Sequence, residues 1–203
     1  MTNGSFEAPD ASGGDVSNGP AAPWVGFGDP NVRFTTATES FDGDQSLKTF
    51  GPFGFIGDGA GGLQSAPATP GTVYVGEIYA LQQSADALQG GNFGVYKLEF
   101  LDAGGGFVGG SPILGFNVFE SNPFNAMSPL DEWTLLGVGG LAPAGTASVQ
   151  AVIVQVQLGD ATGGIVGGAI FWDAATVIAI PEPSSFALAA CGLAGVVARR
   201  RRA

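Results

Sequence analysis

Histidine is absent from the 203 residues, and cysteine occurs once, at Cys191. Together these absences remove imidazole acid–base catalysis, thiol nucleophiles, the usual zinc ligand sets and any disulfide within the chain. Positive charge is almost as scarce. Residues 1–180 hold only Arg33, Lys48 and Lys97 against 17 acids, a net charge of −14. A body of that sign is repelled by phosphate backbones and has no basic stripe for counterion release, which excludes nucleic acid as a partner. Nucleophile elbows, phosphate-binding loops and dinucleotide fingerprints are missing as well. The Gly-rich "GDGAGG" at 57–62 lacks the lysine of a phosphate cradle and reads as a loop. With this many acids some carboxylate pair is inevitable, so composition alone leaves a glycosidase open. No motif supports one, and the expectation is a protein that is not an enzyme.

What the chain has in excess is glycine and proline, 35 and 13 residues, together with 45% hydrophobic and 10% aromatic residues. Each glycine inside a helix costs about 1 kcal/mol against alanine, so short strands joined by turns suit this composition better than helices. Strand candidates recur at 32–36, 46–50, 72–81, 94–101, 113–120, 132–138, 148–158 and 168–180, with a further short one in "MTNGSFEAPD". In 148–158 Val152, Val154, Val156 and Leu158 share one side, and Gln155 and Gln157 the other. In 94–101 Tyr96, Leu98 and Phe100 oppose Lys97 and Glu99 in the same way. Both patterns predict one packed face and one face in water. "DAGGG" at 102–106 predicts a turn with left-handed glycines. Residues 8–31 read as an irregular excursion pinned by Trp24 and Phe27. The expected fold class is all-β: an antiparallel β-sandwich of jelly-roll type over residues 1–180, followed by a short hydrophobic C-terminal helix.

The last 23 residues are a different electrostatic object. Here Arg199, Arg200, Arg201 and Arg202 face only Glu182, a net charge of +3. Pro181 and Pro183 forbid continuation of the preceding strand and hold Glu182 in an extended, protease-accessible turn. From Ser184 to Ala198 no charge occurs. As a helix this run spans about 22 Å, against a bilayer core of about 30 Å, a marginal span that four arginines could anchor at the headgroups.

The order of Pro-Glu-Pro, short apolar run and arginine cluster resembles the PEP-CTERM sorting signal of Gram-negative bacteria. The resemblance implies recognition at Pro181, Glu182 and Pro183 by the membrane peptidase-transferase exosortase, a transient membrane segment at 184–198 and a stop at Arg199–Arg202. It further implies export to the cell surface, outer envelope or extracellular matrix. Members of that family carry an N-terminal signal peptide, whereas "MTNGSFEAPD" shows neither a charged nor an apolar leader region. The resemblance therefore predicts that the start lies in frame upstream of Met1 or that a leader has been removed, and the first is favoured.

The body resembles the galactose-binding-like jelly rolls of carbohydrate-binding modules. The carriers are "NGSFE" at 3–7, Trp24, "SFDGDQSLK" at 40–48, "LEFLDAGGG", "EWTLL" followed by "APAGTASVQAVI", and "FWDAATV" at 171–177. This resemblance implies a structural calcium ion held where the first and last strands meet, by Glu7, Asp173 and the turn of Asp42, Asp44 and Ser46; hard oxygen donors suit that ion. Trp24, Trp133, Trp172, Tyr74, Tyr79 and Tyr96 are the rings able to stack on a sugar. Trp133 and Trp172 read as core, which leaves Trp24, in its Gly/Pro-rich loop, as the candidate platform. The function expected is an exported surface or matrix protein whose body binds glycan, exopolysaccharide or matrix partners. A surface glycan hydrolase or lyase, or a purely structural matrix protein without a ligand, are the alternatives.

Overall fold

A computed structural model describes residues 1–17, 19–20, 22–109 and 119–180. The expected strand at 113–120 falls outside the described residues up to position 118. So do the turn at 181–183, the apolar helix at 184–198 and the arginines at 199–202.

The described chain folds as a sandwich of two antiparallel sheets, with two single-turn 3-10 helices at Pro30–Val32 and Ser84–Asp86. The strands are β1 (Val16–Ser17), β2 (Val25–Phe27), β3 (Arg33–Thr36), β4 (Ser46–Gly51), β5 (Gly59–Pro67) and β6 (Val73–Leu81). They continue with β7 (Phe93–Leu101), β8 (Phe107–Gly109), β9 (Phe124–Asn125), β10 (Thr134–Leu141), β11 (Ser148–Val156) and β12 (Gly168–Ile180). The first sheet has the order β1-β3-β4-β12-β6-β10. The second runs β2-β5-β11-β7-β8, with β9 also paired to β7. The all-β antiparallel sandwich expected from the strand pattern is thus what forms. "DAGGG" makes the β7–β8 turn as expected, with Gly105 at φ 81° and the Asp102 carboxylate accepting from the N–H groups of Gly104 and Gly106.

The core lies between the sheets, where Ile78, Leu98, Phe100, Ile153, Ile170 and Trp172 are fully buried. Trp172 packs closely against β7 because position 94 is glycine: a Cβ there would stand 2.6 Å from the Trp172 ring. Packing at this density leaves no room for such an atom. The Trp172 indole N–H donates to Thr49 Oγ1 at 2.9 Å, the Thr49 hydroxyl donates to Gln155 Oε1 at 2.8 Å, and Gln155 Nε2 donates to the Gly168 carbonyl at 3.0 Å. This chain of bonds crosses from one sheet to the other.

Gln155 and Gln157 therefore point inward, and the expectation that their side of β11 meets water is corrected. Both are fully buried, and Gln157 accepts from the Phe53 N–H while donating to the Phe55 carbonyl. The valines opposite them are buried as well, because β11 is central in its sheet and covered on both faces. Lys97 and Glu99 correct the same expectation for β7: they form an ion pair on the outer side of the strand, each at least nine-tenths buried. Two further corrections concern glycine. Residues 59–62, read as a loop, open β5, since a Cβ at Gly61 would overlap the Ile153 carbonyl oxygen of the paired strand β11. The N-terminal segment, read as a strand, is a series of turns with Asn3 and Phe6 at φ 52° and 56°. It is pinned where the Ala175 N–H donates to the Gly4 carbonyl at 2.9 Å.

Candidate functional site

The sandwich has two unlike ends. At one, β12 reaches Ile180 beside Val73 of β6, which itself pairs with Leu141 of β10; this end leads into residue 181. At the other, the connections 82–92, 121–133 and 157–167 gather around the start of β7 and β12. We call this the distal end. Since β12 is thirteen residues long, the two ends stand roughly 40 Å apart at about 3.3 Å per residue.

Long irregular connections must satisfy their buried backbone groups, and here buried amide side chains do it. Gln82 Nε2 donates to the carbonyls of Asn125 and Ser128 at 2.9 and 2.8 Å, while its Oε1 accepts from the Leu88 N–H at 3.0 Å. Asn92 uses all four of its bonding positions: Nδ2 donates to the Val166 and Gly167 carbonyls, and Oδ1 accepts from the N–H groups of Leu158 and Gly159. The Asp131 carboxylate accepts from the Ser84 N–H at 2.8 Å, and that bond holds it below the usual carboxylate range. The connection 121–133 is therefore tied to the body at both of its sides.

On this frame sits an open pocket of about 250 Å³, walled by Gly90, Gly91, Phe93, Pro123, Asn125, Ala126, Met127 and Leu158. Met127 is 94% exposed, and the Phe93 ring is half-buried beneath the same hollow. At the far side of the same connection Trp133 meets the edge of Phe41 at 5.9 Å between centroids, and Phe41 stacks on Tyr79 at 3.6 Å and 16°. Phe41 is 45% exposed. Apolar planes beside exposed backbone polar groups are what the C–H face of a sugar ring can settle on.

Trp24, expected to be the platform, is buried: its indole N–H donates to the Asn3 carbonyl at 3.0 Å and its ring lies 5.3 Å from that of Phe6. The Gly/Pro-rich loop folds back over it, so its ring serves the core and not a ligand. Trp172 is core, as expected, but Trp133 is only half-buried and belongs to the distal aromatic group. Phe41, Phe93 and Met127 escaped the sequence reading. An aromatic in an acidic turn and a methionine in the polar run "NPFNAMSPLDEW" are signals that could have marked Phe41 and Met127; none marked Phe93.

Glu7 and Asp173 do reach one turn from opposite sides, as the calcium reading requires, but they grip it by its N–H groups. Glu7 Oε1 accepts from the N–H of Asp44 and of Gln45 at 3.0 and 3.2 Å. Asp173 Oδ2 accepts from Phe41 and Asp42 at 2.7 and 3.0 Å, and its Oδ1 from Ala174 at 2.6 Å. Ser46 Oγ donates to the Glu39 carbonyl at 2.7 Å. Burial pushes the Asp173 carboxyl up to about 6 against these bonds, and nearby Asp42 adds to the rise. Glu7, Asp10 and Asp44 also border an open hollow of about 370 Å³. A cation needs lone pairs converging on one point, whereas these oxygens already face N–H donors. Among the described residues no group of three or more His, Cys, Asp or Glu side chains could hold a metal ion. As arranged, Glu7 and Asp173 lock the turn by its N–H groups, an arrangement that does not by itself converge their oxygens on a cation.

Residues 179–202 match the PEP-CTERM protein-sorting motif, a signal that implies an exported protein. Among the described residues no helix is long and apolar enough to cross a membrane. No curated protein matches the chain. Among solved structures it is similar to a cyclase from Fischerella sp. TAU, at 13% identity and a TM-score of 0.60, over 91% of this chain and 97% of that one. TmCBM61, solved in complex with β-1,4-galactotriose, matches at 14% identity and a TM-score of 0.54, over 89% and 97% of the two chains. The enzymatically active domain of tailspike protein 4 of bacteriophage CBA120 matches at 16% identity and a TM-score of 0.55 over 89% of this chain. That match spans only 21% of the tailspike's own length. At such identities the likeness shows the fold alone: a β-sandwich of the kind found in carbohydrate-binding modules.

Proposed function

We propose that the chain is an exported, non-enzymatic β-sandwich protein, delivered to the cell surface or matrix by its C-terminal signal, whose distal end binds exopolysaccharide. Exosortase acts at Pro181, Glu182 and Pro183, after the run at 184–198 has held the protein briefly in the membrane. The supporting observation is the placement of the pocket at Phe93 and Met127, on the end of the sandwich opposite the one that leads into the signal. A body tethered at its C-terminus presents that distal end outward. Fold likeness to a carbohydrate-binding module adds weight by analogy only. The net charge of −14 over residues 1–180 disfavours polyuronates, so the ligand is a neutral glycan. Lacking histidine and a cysteine in its body, the chain is poorly equipped for acid–base or thiol catalysis.

Affinity electrophoresis of the chain through gels carrying neutral or uronic-acid polysaccharides tests this. Retardation by a neutral polymer is expected, weakened roughly tenfold by the pair Phe41→Ala and Met127→Ala, since one lost stacking contact is worth about 1 kcal/mol. Retardation by none of the polymers would leave a structural matrix protein. Polymer turnover abolished by one carboxylate substitution would make it a hydrolase or lyase.

A further inference from the structure

Sheet margins are where β-proteins invite other chains, and natural monomers blunt them with short strands, charge, proline or bulges. Among the described residues three of the four margins are short: β1 has two residues, and β2 and β8 have three each. The fourth is β10, eight residues reading "TLLGVGGL". It pairs with β6 at eight consecutive positions without a register shift and carries no charge, no proline and no bulge. Its other side has no backbone partner among the described residues. On its outer face Leu135 and Leu141 are about half exposed, with Gly137 and Gly139 between them.

We propose that β10 is a self-docking edge, pairing antiparallel with β10 of a second copy about a two-fold axis through Val138. Opposed residues in an antiparallel pair share a face, so the outer positions must meet outer positions. Centring on Val138 sets Leu135 against the partner's Leu141, Gly137 against the partner's Gly139, and on the inner face Leu136 against the partner's Gly140. Each exposed leucine thus gains a leucine, and large meets small inside. The charges choose the same occupant. A body at −14 repels its own copy wherever acids face acids, yet this register lays Asp131 and Glu132 beside the partner's uncharged 142–147 turn. An isologous contact of this kind closes at two copies, with the first sheet continuous across them. It also sends the two C-terminal ends in opposite directions, so a pair bridges two surfaces or cross-links a matrix, and two chains tethered side by side do not form it. The inference is independent of the glycan reading.

Sedimentation velocity of the full chain, with nonionic detergent to keep the apolar tail from associating, tests it. The native chain should show a concentration-dependent monomer–dimer equilibrium. A Cβ at position 137 meets nothing within 4 Å and one at 139 has no contact closer than 3.7 Å, so both glycines accept a side chain without steric clash. Position 137 faces Glu77 of β6, so the melting temperature of each variant is measured alongside to separate its effect on the fold from that on the dimer. Gly137→Glu with Gly139→Glu sets two like-charge pairs across the axis and should weaken the dimer roughly tenfold. Gly137→Lys with Gly139→Lys should do the same. Gly137→Lys with Gly139→Glu places lysine opposite glutamate twice and should restore dimerisation. A native chain that stays monomeric at every concentration, or association indifferent to all three pairs, overturns the proposal.

Discussion

The two ends of the sandwich are built from different materials. The distal end carries long connections held by buried amide side chains, with Gln82 and Asn92 between them making seven hydrogen bonds to backbone groups. The tail-side end is turned by short backbone-to-backbone bonds, such as Ala68 N–H to the Ala147 carbonyl and Ala142 N–H to the Thr72 carbonyl. It leaves Leu141, Ile178 and Ile180 exposed. Irregular backbone is expensive to bury unless every N–H and C=O is paired. A fold spends side-chain polar groups where it needs a shaped surface, and the contrast locates that need at the end away from the sorting motif.

The strongest test of this contrast removes one amide. Asn92→Ala loses four hydrogen bonds to backbone groups, about 1 kcal/mol each, and should cost about 4 kcal/mol, whereas Thr146→Ala at the tail-side end, which loses one bond to the Pro143 carbonyl, should cost about 1 kcal/mol. Urea unfolding measures both, and equal losses would break the comparison.

A smaller effect sharpens it at the locked turn beneath Phe41. In the folded chain Asp173 takes up its proton at about 6, above its ordinary value of 3.8. Between those values the folded state binds more protons than the unfolded one, so this group's contribution to stability grows as pH falls through 6 and levels off below 4. Relative to Asp173→Asn, the native chain should gain about 2 kcal/mol between about pH 7.5 and about pH 4. A gap that stays constant with pH would refute the assignment. The smallest expected effect is none: excess chelator should leave the melting temperature unchanged, because Glu7 and Asp173 hold N–H groups. A drop of several degrees would return these residues to a metal.

The strands most legible as alternation were β7, with Tyr96, Leu98 and Phe100 at every second position, and β11, with Val152, Val154 and Val156. β5 was not, since "GAGG" hides a strand whose missing side chains are needed by its neighbour's carbonyls. Alternation also names the residues that share a face without naming the side that is interior. Val154 and Gln155 looked like inside and outside, but both faces of a central strand are covered, and Gln155 is interior because Thr49 and the Gly168 carbonyl await it. Among the candidate site residues, Glu7 and Asp173 meet at one turn; its polarity was not legible, because spacing carries no information on whether a turn presents N–H or C=O groups inward.

By itself the sequence determined the class of the fold, the acidic body and the sorting motif: period-two alternation, glycine excess and the charge reversal at residue 181 are local properties of the chain. Only the tertiary structure decided which residues share a surface. Phe93 opens β7 while Met127 and Leu158 lie in two separate connections, and the antiparallel pairing of β7 with β11 and β9 brings them to one pocket. The margin of the first sheet at β10 likewise exists only once strand order is set, since an edge is a property of the sheet and not of the strand.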